Sequence, residues 1–174
     1  MVHRMNEQGR EPESVTRVRQ ALEVAGAAGV AGVAGVAGAV RRLDDSARTA
    51  VQAAAALGIE VGQIASSLIF MADGRPILVI ASGGHRVDTN MVAALLAVQK
   101  VTKATADEVR AATGFAIGGV APVGHPEPLR TIIDIALSQY GVVWAAAGHP
   151  HYVFPTSYDE LLRMTGGEAA DVGT

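Results

Sequence analysis

The chain has 174 residues, 49% apolar and 18% charged, enough apolar material for one ordinary domain with its own core. A formal net charge of −3 excludes a surface coated in basic charge for gripping long nucleic acid, while leaving room for a local basic patch. The absence of cysteine excludes disulfides and thiolate chemistry, and fits a cytoplasmic protein.

The N-terminus, MVHRMNEQGREPES, is polar and punctuated by Gly and Pro. No apolar run follows Arg4 closely, so residues 1–13 are expected to be a disordered leader and not a signal peptide. Ser14 is expected to cap a helix with Val15, Val18, Leu22 and Ala25 on one face. That helix runs into AGAAGVAGVAGVAGAV (residues 25–40), which is shorter than the ~20 residues of a membrane span. No membrane partner is expected. A strand is expected over roughly Ala37 to Leu43. In DDSARTAVQAAAALG, Thr49 caps an alanine-rich helix and Gly58 ends it. QIASSLIFMADGRPILVIAS reads as two strands joined by the turn Ala72-Asp73-Gly74-Arg75-Pro76. Both are almost continuously apolar, which predicts burial on both faces.

A helix follows Asp88, through Val92, Leu95, Leu96 and Val98, and KVTKA is a short strand. Thr105 and Glu108 form a capping box for a helix that stops at Gly114. Then comes TGFAIGGVAPVGHPEP, with four glycines and three prolines. A connection this long without periodicity is either functional or a solvated link. TIID is a strand, ALSQY a helical turn, VVWAAA a strand and YVF the last strand. Ser157 and Glu160 read as a second capping box, for a helix that ends at Gly166, and the tail AADVGT reads as frayed. Helices and hairpins interspersed in this way predict a mixed sheet, not a doubly wound parallel one.

Several chemistries lack their signatures. No Gly-x-Ser-x-Gly elbow is present, and no Gly-x-Gly-x-x-Gly follows a strand. His149-Pro-His151 with His125 is the minimum for zinc, but no acid or cysteine stands at ligand spacing, so no metal is expected. His85 reads as an exposed loop histidine or as a group facing a pocket. Asp134, at the end of an apolar strand, either faces a pocket or caps the next turn. Arg75 and Arg86, beside the hairpin, are the nearby sources of positive charge.

The order of elements and several motifs resemble the YbaK/prolyl-tRNA synthetase-associated domain family, which hydrolyses mischarged aminoacyl-tRNA. The matching pieces are SARTAVQAAAALGIEVGQIASSLIF, DGRPILVI, RVDTNMVAALLA, ATADEVRAATGFAIGGVAPVGH, TIIDIAL, VVWAAAGHP and TSYDELLRMTGGEAADV. TGFAIGGVAPVG is the most specific, with Gly118 and Pro122 in the places of the family's Gly-x-x-x-Pro loop. The resemblance spans about residues 14–172 and implies a single YbaK-like editing domain there. The implied fold is α+β, with a mixed, curved, partly barrel-like sheet flanked by helices and a pocket for the aminoacylated 3′ end of tRNA.

The resemblance implies a deacylase acting in trans on aminoacyl-tRNA, without a cofactor, with an aminoacyl-tRNA synthetase as a further partner. Gly118, Gly119 and Ser67 are the expected catalytic residues. Glycine lets backbone approach a ligand, and exposed N–H groups stabilise charge on an ester carbonyl. Ser66, Val120, Pro122, Asp134, Gly148 and His149 are the expected substrate-binding residues. The family usually carries a lysine in a Lys-Ser/Thr-Leu pattern, and here Ser66 stands in its place. Serine supplies no cation, only a hydroxyl that bonds water. The alternative is therefore a non-catalytic module that binds aminoacyl-tRNA, a nucleotide or a synthetase.

Overall fold

The computed structural model of the protein describes residues 10–26 and 39–174. Residues 1–9 of the expected leader and 27–38 of the Ala-Gly-Val repeat lie outside the described residues, as does the start of the strand expected from Ala37.

Helix α1 spans Glu13–Val24 and buries Val15, Val18 and Leu22. Ser14 is not its cap: Pro12 precedes the helix at φ −56°, and Ser14 lies in the first turn. Proline's fixed φ leads the chain in, and Glu13 sets a negative charge at the positive end of the helix dipole. Strand β1 is only Arg41–Arg42. Helix α2 (Ala50–Leu57) has the expected ends, Thr49 and Gly58 at φ 69°, and Gln52 completes a capping box that was not expected.

Strands β2 (Ile64–Ala72) and β3 (Arg75–Ser82) form the expected hairpin. The turn is shorter than the five residues expected, because Ala72, Arg75 and Pro76 already pair within the strands; Asp73 and Gly74 both have positive φ, as a two-residue hairpin turn requires. Helix α3 (Thr89–Leu96) starts at Asp88, whose carboxylate accepts from the Asn90 and Met91 N–H groups. Strand β4 is Val101–Lys103, and α4 (Ala106–Thr113) carries the Thr105/Glu108 capping box. Then follow β5 (Arg130–Asp134), a 3₁₀ turn (Ile135–Gln139), β6 (Val143–Ala146), β7 (Tyr152–Thr156) and α5 (Tyr158–Thr165).

The tail is not frayed. Glu168–Ala170 forms strand β8, parallel to β5, and Val172 is fully buried. The Arg86 and Asp88 N–H groups also bond the carbonyls of Thr174 and Val172. β7 is therefore not the last strand. The local sequence hides β8, because a three-residue edge strand depends on its neighbour and not on its own periodicity.

The eight strands form one sheet in the order β1-β7-β6-β2-β3-β5-β8, with β4 also paired to β2. Pairs β2–β3, β2–β4, β1–β7 and β6–β7 are antiparallel, and β2–β6, β3–β5 and β5–β8 are parallel. The sheet is mixed and flanked by helices, as expected, but it does not close into a barrel: its pairing path ends at β1 and β8. On one face Ile69, Leu78 and Ile80 pack with Leu22 of α1, Phe115 and Phe154. On the other, Phe70, Val79 and Ala81 pack with Val92 and Leu96 of α3 and with Val172. Burial on both faces is why β3 lacks the alternation of a surface strand. No described helix is long and apolar enough to cross a membrane.

Candidate active site

Strand β2 has β3 along its whole length on one side and is incompletely covered on the other. β6 pairs with it only at Ile64–Ala65, and β4 only at Phe70–Ala72. The Ala104 N–H adds one bond to the Ile69 carbonyl. Between those contacts Ser66, Ser67 and Leu68 have no strand on their open side among the described residues. The Gly83 N–H bonds the Ile64 carbonyl, so even-numbered residues of β2 bond towards β3 and odd-numbered ones away from it. The backbone N–H and C=O of Ser67 therefore point into the gap.

A cavity of about 500 Å³ occupies this gap. The edge of β2 divides it. Alternation puts Ser67 on the face of Ala65 and Ile69, with Val109, Gly118 and Val120 across from it. Ser66 is on the opposite face, towards His85 and Arg86. The Ser67 hydroxyl oxygen is buried without a hydrogen-bond partner among the described residues. A buried hydroxyl without a partner is costly to the folded protein. The N-terminal turn of α2 and Trp144 of β6 complete the wall.

The glycine-rich loop is wedged against neighbouring backbone. Gly118 has φ 87°, a left-handed conformation that favours glycine. A Cβ on Gly119 would lie 2.8 Å from the Cα of His149. The Gly119 N–H donates to the Ala116 carbonyl at 3.0 Å, which closes a turn. The amide expected to hold an ester oxygen is thus already engaged, and Gly119 serves by lacking a side chain. The N–H groups of Gly118 and Val120, on either side, have no acceptor within the described residues, and both residues line the cavity. Behind the loop, Phe115 is buried beneath the Arg17 guanidinium at 4.4 Å. His125 Nε2 donates to the Ala121 carbonyl at 2.7 Å, which makes Nε2 the protonated nitrogen.

The remaining expected residues stand behind the cavity. Pro122 is buried under the loop. Gly148, at φ 93°, packs against the Ser14 carbonyl of α1, where a Cβ would lie at 2.6 Å. His149 backs Gly119, accepts the His151 N–H on Nδ1 at 3.2 Å, and meets the Tyr152 ring edge-on. Its pKa is lowered, first by desolvation and then by His151 and Arg42. None of these three lines the cavity; Pro150, their neighbour, does.

Asp134 does cap the following turn, because Oδ1 accepts the Ala136 N–H at 2.9 Å. Its Oδ2 accepts the Ser82 N–H at 3.1 Å and lies 2.9 Å from Nδ1 of His85. It is fully buried and meets the cavity only through His85.

Positive charge reaches the cavity from three separate segments: Arg48 before α2, Arg86 after β3, and Lys103 on β4. Arg75, the first residue of β3, does not line it. The sequence gives no sign of Lys103, since only its pairing opposite Phe70 brings it to β2. No group of three His, Asp, Glu or Cys side chains able to hold a metal occurs among the described residues.

A family model described as the aminoacyl-tRNA editing domain matches residues 44–164. The fold superposes on the crystal structure of a candidate trans-editing enzyme for prolyl-tRNA synthetase with a TM-score of 0.84 and 41% identity, covering 95% of this chain and 99% of that one. A candidate Cys-tRNA(Pro)/Cys-tRNA(Cys) deacylase of Enterococcus faecalis is 25% identical over 127 residues, covering 72% of this chain and 77% of the relative. A proline–tRNA ligase of Bacillus licheniformis is 34% identical over 107 residues, covering 62% of this chain but 19% of the ligase. The chain thus corresponds to about a fifth of that ligase's length.

Proposed function

Because the chain belongs to the aminoacyl-tRNA editing domain family, we propose that it is a deacylase acting in trans, cleaving the ester that joins a wrong amino acid to tRNA. The observation that carries this reading is the placing of unengaged loop amides on a cavity beside an open strand edge. The Gly118 and Val120 N–H groups would bind the ester carbonyl oxygen and stabilise the charge that develops on it as water attacks. The Ser67 backbone N–H and C=O, turned into the same gap, would hold the aminoacyl group or the water. Pro122, Gly148 and His149 would keep the loop in position from behind. The products are free amino acid and intact tRNA.

Ser66 lines the cavity and offers no cation where the family usually carries a lysine. Arg48, Arg86 and Lys103 would take over the attraction of the terminal tRNA phosphates. The loss of that lysine favours a second reading, in which the pocket binds aminoacyl-tRNA without cleaving it. Incubation with a panel of mischarged tRNAs, following loss of the ester, separates the two. Cleavage of at least one member supports the deacylase, and retention of every ester alongside measurable binding supports the binding module. A synthetase partner is tested by adding prolyl-tRNA synthetase and looking for co-elution.

A further inference from the structure

We propose that His85 is the general base of this site and that Asp134 is its positioning residue; the inference rests on the deacylase reading. The Asp134 side chain is 1% exposed, and every close contact to its carboxylate comes from a fixed group: the Ser82 N–H, the Ala136 N–H and the His85 ring. A carboxylate buried this deeply and held by two backbone amides has little freedom to turn. It fixes the ring that bonds to it. An ionised carboxylate only accepts, so the proton of the neutral imidazole sits on Nδ1 and the lone pair on Nε2. The orienting carboxylate of a catalytic triad sets its histidine in the same way.

The backbone around His85 is equally constrained. The His85 N–H bonds the Ser82 carbonyl, and Arg86 and Asp88 are tied to Thr174 and Val172 at the C-terminus. The side chain is 30% exposed and faces the cavity. The sheet register shows from which side it enters. Ser66 stands opposite Ala81, and Ile80 stands beside Ile133, so Ala81 is next to Asp134. Ser66, Ala81 and Asp134 form one row on one face, with only a methyl group between the outer two. The ring reaches over that methyl from Asp134 towards Ser66. Gly118 and Val120 lie on the other side of the β2 edge. An ester seated on the edge has its carbonyl oxygen towards the loop amides and its other flank towards Nε2. Among the described residues, the remaining charged groups at the cavity are Arg48, Arg86 and Lys103, which are cationic.

The step balances without a cofactor. Nε2 takes a proton from water as the water oxygen bonds to the ester carbonyl carbon. The bond from that carbon to the ribose oxygen then breaks, and the imidazolium returns the proton to the leaving oxygen. This assigns a working group to a site whose usual lysine is Ser66.

The test is single-turnover cleavage, across pH, of a tRNA that the native protein cleaves, by native, His85→Gln and Asp134→Asn proteins. Binding of the same tRNA carrying its amino acid through a 3′-amide, and the melting temperature, are measured alongside. His85→Gln is expected to slow cleavage by about 100-fold, within the usual range for general-base catalysis, with binding of the amide analogue unchanged. The native rate should rise with pH across one protonation, and that limb should vanish in His85→Gln. Asp134→Asn removes the negative charge beside Nδ1 and, in either amide orientation, sets an NH2 group against the Ser82 or the Ala136 N–H, so the ring loses its fixed partner; the rate at saturating tRNA should fall with analogue binding kept. A full rate with an intact pH limb in His85→Gln overturns the proposal. So does a loss of rate matched by loss of analogue binding or of melting temperature. Failure of the native protein to cleave any ester overturns the deacylase reading instead, and this inference with it.

Discussion

Gly119→Ala would test how the loop is held at the cavity. A Cβ at this position lies 2.8 Å from the Cα of His149 and 3.0 Å from its N and C atoms. These are backbone atoms of a segment that cannot retreat freely, because Gly148 beside it already abuts the Ser14 carbonyl of α1. Carbon atoms pack at ~3.5–4.0 Å, so relieving a 2.8 Å contact needs a shift of at least about 0.7 Å. Overpacking of this kind costs about 1–3 kcal/mol. In a chain of this size 1 kcal/mol moves Tm by roughly 2–4 °C, so Tm should fall by about 2–12 °C. The shift also displaces the flanking amides of Gly118 and Val120. A misplacement near 1 Å can cost about 100-fold in rate, so ester cleavage should fall much further than stability. Gly118→Ala is the comparison: its Cβ meets nothing nearer than Pro150 Cγ at 3.9 Å, and only φ 87° opposes it. That penalty is about 1–2 kcal/mol. Thermal unfolding and single-turnover deacylation of all three proteins give the answer. A Gly119→Ala protein with native Tm and native rate would refute the wedged loop.

Ser66→Lys returns an ammonium to the cavity wall, where a charge-assisted bond is worth roughly 1.5–3 kcal/mol and ~1.4 kcal/mol is tenfold in rate. After desolvation a gain of up to about tenfold is expected in single-turnover cleavage, and a native rate equal to that of lysine-bearing relatives would contradict it. The pKa of His125 is lowered, chiefly by burial, so the folded protein resists a proton that the unfolded chain accepts. Its contribution to stability is complete above about pH 6.5 and is lost as pH falls through its lower folded value; His149 acts in the same direction. Guanidinium unfolding at neutral and mildly acid pH should show a smaller acid loss in His125→Asn than in the native protein. Deleting residues 168–174 removes β8 and the Val172 and Thr174 carbonyls that tie down the segment after His85. Lower Tm and faster amide exchange at Arg86 and Asp88 are expected, and unchanged exchange there would show that the tail does not brace this turn. Thr105→Ala removes a helix cap for about 1 kcal/mol, or roughly 2–4 °C in Tm, with cleavage unaffected.

What the sequence determined by itself is local. The boxes at Thr49/Gln52 and Thr105/Glu108 work because an N-cap side chain and the residue three further on meet in the first turn, whatever lies around them. The Asp73-Gly74 hairpin and the αL glycines at 58, 114 and 166 follow from backbone sterics that need no partner. The unusual loop was legible for the same reason, since its glycines and prolines mark it wherever it docks. The cavity was not legible. It exists because β6 and β4 each cover only part of β2, and strand pairing across such distances in the chain is settled by total burial and not by nearby residues. The parallel pairing of β3 with β5 sets Asp134 beside Ala81 and so under His85, which is 49 residues away in the chain. Lys103 reaches the cavity by the antiparallel pairing of β4 with β2, and the tail becomes a strand because β5 offers it an edge. The same holds within the loop: Gly119 and Gly118 read alike in sequence, but only the docked backbone of His149 and the carbonyl of Ala116 separate a spacer from a free amide.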